Sequence, residues 1–455
     1  RTPFTIPGHK QKTSALDEGL GAVVDSDTPL YGGLDEIKLT NQTLRQAEAL
    51  AAKLWGADYA RFSTGGSTHA NQAIIFALGQ PGDKVAVSRT AHRSVLSALV
   101  LAGLEPIWMN PEIDSATGVP LGIAVAELER ALAEKPIAIL LTEPGYLGTI
   151  SDLPALIKVA HQQKVPVILD AAWGGHFGFH PQLPQHAFQM GADALITSTH
   201  KALPGYSASA LLLARTELLS AERLEQSFET THTTSPAGAP LASIDGVRAL
   251  LQTRGEELLG LLLDNIHRFK ETVQAEFALP IFLYPSDFPA GRFDPSKLVL
   301  RVQQLGASGV DIEEDLQKEG IRVEMADRDT IVFLATIADT AADFERLADV
   351  LIPILKKRQE QRRESATALS WSVIPQRATS MRDAYFAKTE LVDAKSAVGR
   401  ISADLIAPYP PGVAVVAPGE VLTEQIVSGL QASRAAGVRI AYATDSTLTQ
   451  FRVVI

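Results

Sequence analysis

Two runs decide the fold: Val165-Pro-Val-Ile-Leu-Asp170 with its continuation Ala-Ala-Trp173, and Ala192-Asp-Ala-Leu-Ile-Thr-Ser198 with its continuation Thr-His-Lys201. Each is almost wholly apolar until its last residues, where an acid or hydroxyl appears. Apolar runs this short, without a polar alternate face, read as strands buried on both sides. Working outward, Lys84–Val87, Pro106–Met109, Ile137–Thr142 and Ala208–Ala214 repeat the pattern. Helical periodicity separates several of them, at His69–Leu78, His92–Leu101 and Leu153–Gln163. Strands alternating with helices predict an α/β fold, a mainly parallel sheet with helices on both faces, three layers αβα. In such sheets ligands bind at the carboxyl ends of the strands.

Beyond this region a long helix is expected over Ser243–Phe277. Pro280 to Lys357 then reads as a smaller α+β unit: strand Leu298–Val302, helix Val310–Glu319, strands Ile321–Glu324 and Ile331–Ala335, helix Thr340–Lys357. The charged run Lys356–Glu364 reads as a solvated helix end or link. A Pro/Gly-rich turn series at Pro408–Glu420 precedes an amphipathic helix near Leu422–Ala435. The expected division is an N-terminal arm and helix (1–56), a large domain (57–279), and a small C-terminal α+β domain with its tail (280–455).

Composition narrows the chemistry. The 455 residues contain no cysteine, which removes thiol nucleophiles, disulfides, iron–sulfur clusters and Cys-containing zinc sites. A net charge of −11 without a basic cluster makes nucleic acid an unexpected partner. No apolar run approaches the roughly 18 residues that cross a bilayer, so no membrane partner is expected. The opening residues Arg1–Lys10 lack the apolar core of a secretory signal, and a cytoplasmic enzyme is the expectation. The first residue is Arg rather than Met, and a native segment before it is expected.

Four strand ends carry candidate chemistry. In Ser63-Thr-Gly-Gly-Ser-Thr-His-Ala-Asn71, two glycines and two hydroxyls precede a helix, the makings of an anion cradle around Gly66, Ser67 and Thr68. An ordinary capped turn has the same composition. Asp170 ends a buried strand, where a carboxylate needs a cationic partner or serves as a cap. Lys201, after Ser198, Thr199 and His200, is a candidate Schiff-base lysine if burial lowers its pKa; otherwise it is a surface lysine. His92 is either a structural hydrogen-bonding group or a flat ring that stacks on a heterocycle. Together the four match the needs of pyridoxal 5′-phosphate (PLP): an anion anchor, a partner for the ring nitrogen, an amine and a ring platform.

The sequence resembles the PLP-dependent fold-type I (aspartate aminotransferase-like) family of ornithine/lysine/arginine decarboxylases, in its short form without a receiver-like N-terminal domain. The resemblance rests on Pro3–Lys10 (PFTIPGHK), Tyr31–Ile37 (YGGLDEI), Ser63–Asn71, Thr90–Val95 (TAHRSV), Thr142–Gly148 (TEPGYLG), Asp170–His176 (DAAWGGH), Ser198–Lys201 (STHK), Thr233–Pro236 (TTSP) and Pro408–Glu420 (PYPPGVAVVAPGE). It implies decarboxylation of lysine, arginine or ornithine to a polyamine-type amine and CO₂. Lys201 is then the lysine that carries the cofactor, and Asp170 the partner of its ring nitrogen. His92 and Ala172 lie on the two ring faces, and Trp173 packs alongside. Ser67, Thr68, Ser198 and His200 become phosphate ligands. Lys201, Asp170, His92 and His200 form the catalytic set. Glu420 is implied to face the substrate's distal cation, with Tyr146 also on the substrate side. The resemblance also implies at least a homodimer, with Thr233–Pro236 reaching the partner's site.

The chain departs from the family pattern at Glu143 and Gly145, where small polar residues are usual, so that wall of the pocket is expected to differ. Leu203–Leu213, and the Ala-Gly-Ala after Pro236, are also unusual. Other readings are an aminotransferase or lyase on the same fold, and a catalytically silent PLP-binding homologue. A zinc hydrolase on His176, His180, His186 and Asp170 is weaker, because that Gly/Pro-rich stretch does not suit one helix face. No metal is expected. Gly205–Ser209 lacks the last glycine of a serine-hydrolase elbow.

Overall fold

The computed structural model describes residues 27, 43–114, 119–361, 373–409, 413–435 and 437–455. The motifs Pro3–Lys10 and Tyr31–Ile37 lie outside the described residues, as do positions 410–412 of the Pro/Gly-rich series.

The centre is a seven-stranded sheet. Its strands, in chain order with two short ones between, are β1 (Tyr59–Ser63), β2 (Lys84–Ser88), β3 (Glu105–Met109), β4 (Pro111–Ile113), β5 (Pro120–Ile123), β6 (Ile139–Thr142), β7 (Val167–Asp170), β8 (Ala194–Ser198) and β9 (Ala210–Ala214). The order across the sheet is β1-β9-β8-β7-β6-β2-β3, and β4 and β5 pair with each other as a separate hairpin. From β8 to β3 every neighbour is parallel, whereas β9 runs antiparallel to both β8 and β1. The sheet is therefore mainly parallel, with one reversed strand.

Alternation along each strand feeds two cores. Ala86, Val167, Leu169, Leu211 and Leu213 face the helices Thr43–Trp55, Val125–Leu132, Leu153–Gln162 and Gly238–Gln274. Val85, Val87, Ile168, Ile196 and Leu212 face the helices Gly66–Leu78, Arg93–Ala102 and Ala221–Thr231. Burying each Val, Leu or Ile contributes about 1.5–3 kcal/mol, so a sheet covered on both faces is what these strands specify. The three-layer α/β reading holds, and β1 is a strand that the sequence reading passed over.

A second sheet has the order β10-β12-β11, all antiparallel: β10 (Leu298–Arg301), β11 (Met325–Ala326) and β12 (Thr330–Phe333). The helices Gly309–Lys318 and Ala341–Arg358 pack on it. The strand expected at Ile321–Glu324 is absent. Ile321 and Val323 reach the core from an irregular segment, and only Glu324 bonds to β12, through its N–H to the Val332 carbonyl. The apolar alternation there reflects packing without a ladder. The C-terminal region adds two small pairs that the sequence reading also passed over: Thr389–Asp393 with Gln450–Val454, and Ala407–Tyr409 with Arg439–Ala441.

Candidate active site

A cavity of about 710 Å³ opens at the carboxyl ends of the parallel strands. Ser88, Thr142, Asp170 and Ser198, the last residues of β2, β6, β7 and β8, all line it or end in it. Gly66, Ser67, Thr68, His92, Tyr146, Ala172, Trp173, His200 and Lys201 line it too.

At one side the helix Gly66–Leu78 begins on Gly65 with no side chain capping it. Gly66 has φ +68°, a left-handed conformation that suits glycine and turns the chain into the helix. The opening N–H groups, the helix dipole and the hydroxyls of Ser67 and Thr68 are of the kind that would suit an anion. Ser67 Oγ lies 2.8 Å from Ser198 Oγ, which ties the cradle to the end of β8.

Across the cavity, Asp170 is buried and held from two directions. Asn71 Nδ2 donates to Oδ2 at 2.8 Å, and the Ala172 N–H donates to Oδ1 at 3.2 Å. The same Asn71 amide donates to Ser94 Oγ at 3.0 Å, and Ser94 Oγ lies 2.8 Å from His92 Nδ1. The Ser94 N–H also donates to His92 Nδ1, so this nitrogen is an acceptor and the proton of the neutral ring sits on Nε2. Burial pushes the His92 pKa down, with Lys201 and Arg93 adding to the effect and Asp170 opposing it. Asn71 thus positions both the acid and the ring. The sequence reading quoted it without assigning it a role, although it falls one helical turn after Ser67.

Burial also lowers the Lys201 pKa, opposed by Asp170 and Glu324. Its Nζ lies 4.7 Å from the centre of the Trp173 ring. A second amine, Lys297 Nζ, lies 3.9 Å from the same centre, and burial holds that lysine down at about 8. His200 donates from Nδ1 to the Ser209 carbonyl at 2.8 Å, so its protonated ring alone presents an Nε2–H donor to an anion. A lysine of reduced basicity, a carboxylate, an uncapped helix start and a flanking ring fit PLP. Lys201 would take its aldehyde carbon, Asp170 its ring nitrogen, and the Gly66–Thr68 turn with Ser198 and His200 its phosphate.

The far wall comes from the second sheet and its loops, including Arg301, Gln303, Asp327, Arg328, Asp329 and Thr330. None of these was singled out from sequence. Burial raises the Asp327 pKa to about 6 despite two backbone donors, the N–H groups of Asp329 and Thr330. Tyr146 packs edge-on against Trp173, and its hydroxyl donates to Glu324 Oε1 at 3.0 Å.

Glu420 departs from its expected place. It does not line the cavity, and only 1% of its surface is exposed. Its oxygens accept from Arg89 Nη1 at 2.7 Å and Nη2 at 2.8 Å, and from the Ala417 N–H at 2.7 Å. Arg89 also donates to the carbonyls of Ala414 and Val415 and lies over Trp108. A carboxylate with its lone pairs so engaged cannot turn toward a substrate without stranding a buried guanidinium. Thr233, Thr234 and Ser235 are exposed and lie outside the cavity of their own chain. The three histidines of the zinc reading do not converge. His176 Nε2 meets Ser296 and Asp294, while His180 and His186 each accept from a backbone N–H two residues on. Among the described residues no group of three His, Asp or Glu could hold a metal.

Comparison with known proteins identifies the family. The family described as "Orn/Lys/Arg decarboxylase, major domain" matches residues 2–343, and "Orn/Lys/Arg decarboxylase, C-terminal domain" matches residues 359–440. Arginine decarboxylase of Bacillus subtilis (strain 168) is 34% identical over 465 residues, covering 99% of this chain and 94% of the relative. Lysine decarboxylase LdcA of Pseudomonas aeruginosa is 24% identical, covering 84% of this chain and 65% of the relative. Among solved structures, lysine decarboxylase LdcF of Francisella novicida superposes with a TM-score of 0.84 at 20% identity. It covers all of this chain and 79% of that one. The constitutive lysine decarboxylase of E. coli gives 0.81 at 20% identity, with 100% and 80% coverage. At these identities the structures speak for the fold alone.

Proposed function

Since the chain belongs to the Orn/Lys/Arg decarboxylase family, and is a PLP-dependent decarboxylase of a basic amino acid, we propose that arginine is its preferred substrate. The observation that carries this reading is Glu324, which accepts from the Tyr146 hydroxyl at 3.0 Å and lies close enough to Lys201 to oppose the fall in its pKa. A planar guanidinium can engage such a carboxylate through two N–H groups at once, where an ammonium offers a point charge. The Bacillus subtilis relative named arginine decarboxylase supports the same choice. Glu324 takes the distal-cation role first given to Glu420.

When bound, PLP supplies the electron sink for the pair left at Cα as CO₂ departs. The protein's residues do the rest. Lys201 would hold the cofactor through its amine, which its lowered pKa keeps nucleophilic. Asp170, fixed by Asn71, holds a proton on the ring nitrogen. His92, with its edge bonded to Ser94, offers a ring face. The Gly66–Thr68 turn, Ser198 and, in its protonated form, the Nε2–H of His200 would hold the phosphate and so set the angle of everything attached to it. Tyr146 and Glu324 would receive the distal cation of the substrate.

The enzyme is taken to be a cytoplasmic homodimer, with the exposed Thr233–Pro236 segment reaching the neighbour's site. No helix among the described residues is long and apolar enough to cross a membrane. The test is a product screen by mass spectrometry: purified protein with added PLP, offered arginine, lysine and ornithine in competition. Arginine should give the dominant amine with stoichiometric CO₂. A dominant amine from lysine or ornithine would overturn the choice of arginine.

A further inference from the structure

A second cavity, of about 500 Å³, lies behind the first. Its inner wall is largely apolar, with Leu169, Phe177 and Leu195 among its residues. Its outer lining includes the exposed residues Asp152, Gln185, Ala290 and Gly291, so one end meets solvent. Among the described residues, Glu143 alone lines both cavities. We propose that Glu143 is the proton relay of the decarboxylation, passing solvent protons from the rear cavity to the cofactor cavity.

The reaction requires such a supply. The bond between Cα and the carboxylate carbon breaks, CO₂ leaves, and the electron pair stays behind. A new Cα–H bond forms with a proton that the amino acid does not carry. Each turnover thus consumes one proton, and with cofactor and substrate filling the front of the cavity a rear route can supply it.

Glu143 is placed for that path. It follows the end of β6, and its N–H donates to the Asp170 carbonyl at 3.0 Å, which locks it beside the cofactor-binding acid. Its carboxyl accepts from the Ser151 N–H at 3.0 Å and from the Ser151 hydroxyl. That hydroxyl accepts in turn from the Ile123 N–H at 2.8 Å, so its direction is set. Few charges face it. Arg292 stands in the same rear cavity, tied to Asp152 at 3.3 Å, and His186 lines that cavity as well. Burial outweighs the Ser151 bonds and Arg292 and raises the carboxyl to about 7, where gain and loss of a proton are both easy. The proposed role is that of a positioning and relay group acting through solvent. It rests on the decarboxylation itself and not on the choice of arginine.

The test uses whichever basic amino acid the wild type turns over, so failure of the arginine reading leaves it intact. Infrared difference spectra of the cofactor-free protein, titrated from about pH 5 to about pH 9, should show a carboxylic C=O band near a midpoint of about 7. The component with that midpoint should vanish in Glu143→Gln, leaving the one from Asp327, which titrates at about 6. In the holoenzyme this variant should lose about 100-fold in kcat with KM retained. Its solvent deuterium isotope effect should rise, and the fall of kcat above neutrality should disappear. A wild-type kcat, isotope effect and pH profile in Glu143→Gln would overturn the relay. Ala290→Trp, at the exposed rim of the rear cavity, should slow kcat and raise the isotope effect while leaving the carboxyl band in place. Full activity in that variant would overturn the rear cavity as the route.

Discussion

The two walls of the cofactor cavity are built in different ways. On the sheet side, each polar group sits at the end of a strand or the start of the next helix: Asp170 on β7, Ser198 to Lys201 after β8, Gly66 to Thr68 after β1. Its geometry follows from strand and helix periods plus one bridging amide, Asn71. On the opposite side, Glu324 and Asp327 flank the two-residue strand β11, and Arg301 ends β10. These residues come within reach of Lys201 only after two sheets have packed. The wall proposed to hold the cofactor is encoded locally; the wall proposed to face the substrate is a product of assembly.

Breaking the local side should have the largest effect. Lys201→Ala should abolish turnover together with the visible absorbance of lysine-bound cofactor. Retention of either would remove Lys201 from its role. Next comes the link that brings the C-terminal segment to the sheet. Glu420→Gln leaves Arg89 buried without its counter-charge and should cost about 3–5 kcal/mol of stability, read from denaturant unfolding. Activity per folded molecule should persist, and joint replacement of Arg89 and Glu420 by methionine should recover much of the loss. If Glu420→Gln instead raised KM with stability untouched, the first reading of this residue would return.

On the assembled side, Glu324→Gln should raise KM by about 10- to 100-fold for arginine, with a smaller change in kcat. Tyr146→Phe should do the same more weakly. The smallest effect concerns Lys297, the second amine on Trp173. Burial holds it near 8, below the ordinary 10.5, so the unfolded chain binds more protons between those values. Wild-type stability therefore rises with pH across that window, and the cost of the buried charge is complete below it. Lys297→Met should be the more stable protein at neutral pH, by a few degrees in Tm, with the advantage gone by about pH 10.5. A pH-independent difference would mean that packing against Trp173, and not charge, sets its effect.

The same contrast explains what could be read from sequence. The parallel strands declared themselves because burial on both faces leaves no polar alternate position. Asp170, His92, His200 and Lys201 stood out because they interrupt or follow those runs. β1 was passed over because Arg61 breaks its apolar pattern, an interruption absorbed by Glu48 and Glu225 and by the Phe228 ring. Glu324 gave no signal, since an exposed acid in an irregular segment looks like any solvated residue. Glu420 misled for a related reason: its partner Arg89 is more than 300 residues away, and no local spacing announces a pair of that separation. Glu143 could be noticed only as a departure, because its place between two cavities depends on β6, β7 and the Ser151 loop together.

The reversed strand β9 has a consequence for the chain as it is made. Among the described residues, β1 is the first strand of the sheet to be synthesised, and its only neighbour in the sheet is β9. Its other side is guarded early: the Phe62 N–H donates to Glu48 of the preceding helix. The side meant for β9 has no such cover until roughly 150 further residues have left the ribosome, about 8 to 30 seconds at ordinary elongation rates. During that interval an unpaired edge is available to any passing strand. The reversed strand that closes the finished sheet thus makes the nascent one dependent on being shielded while it waits.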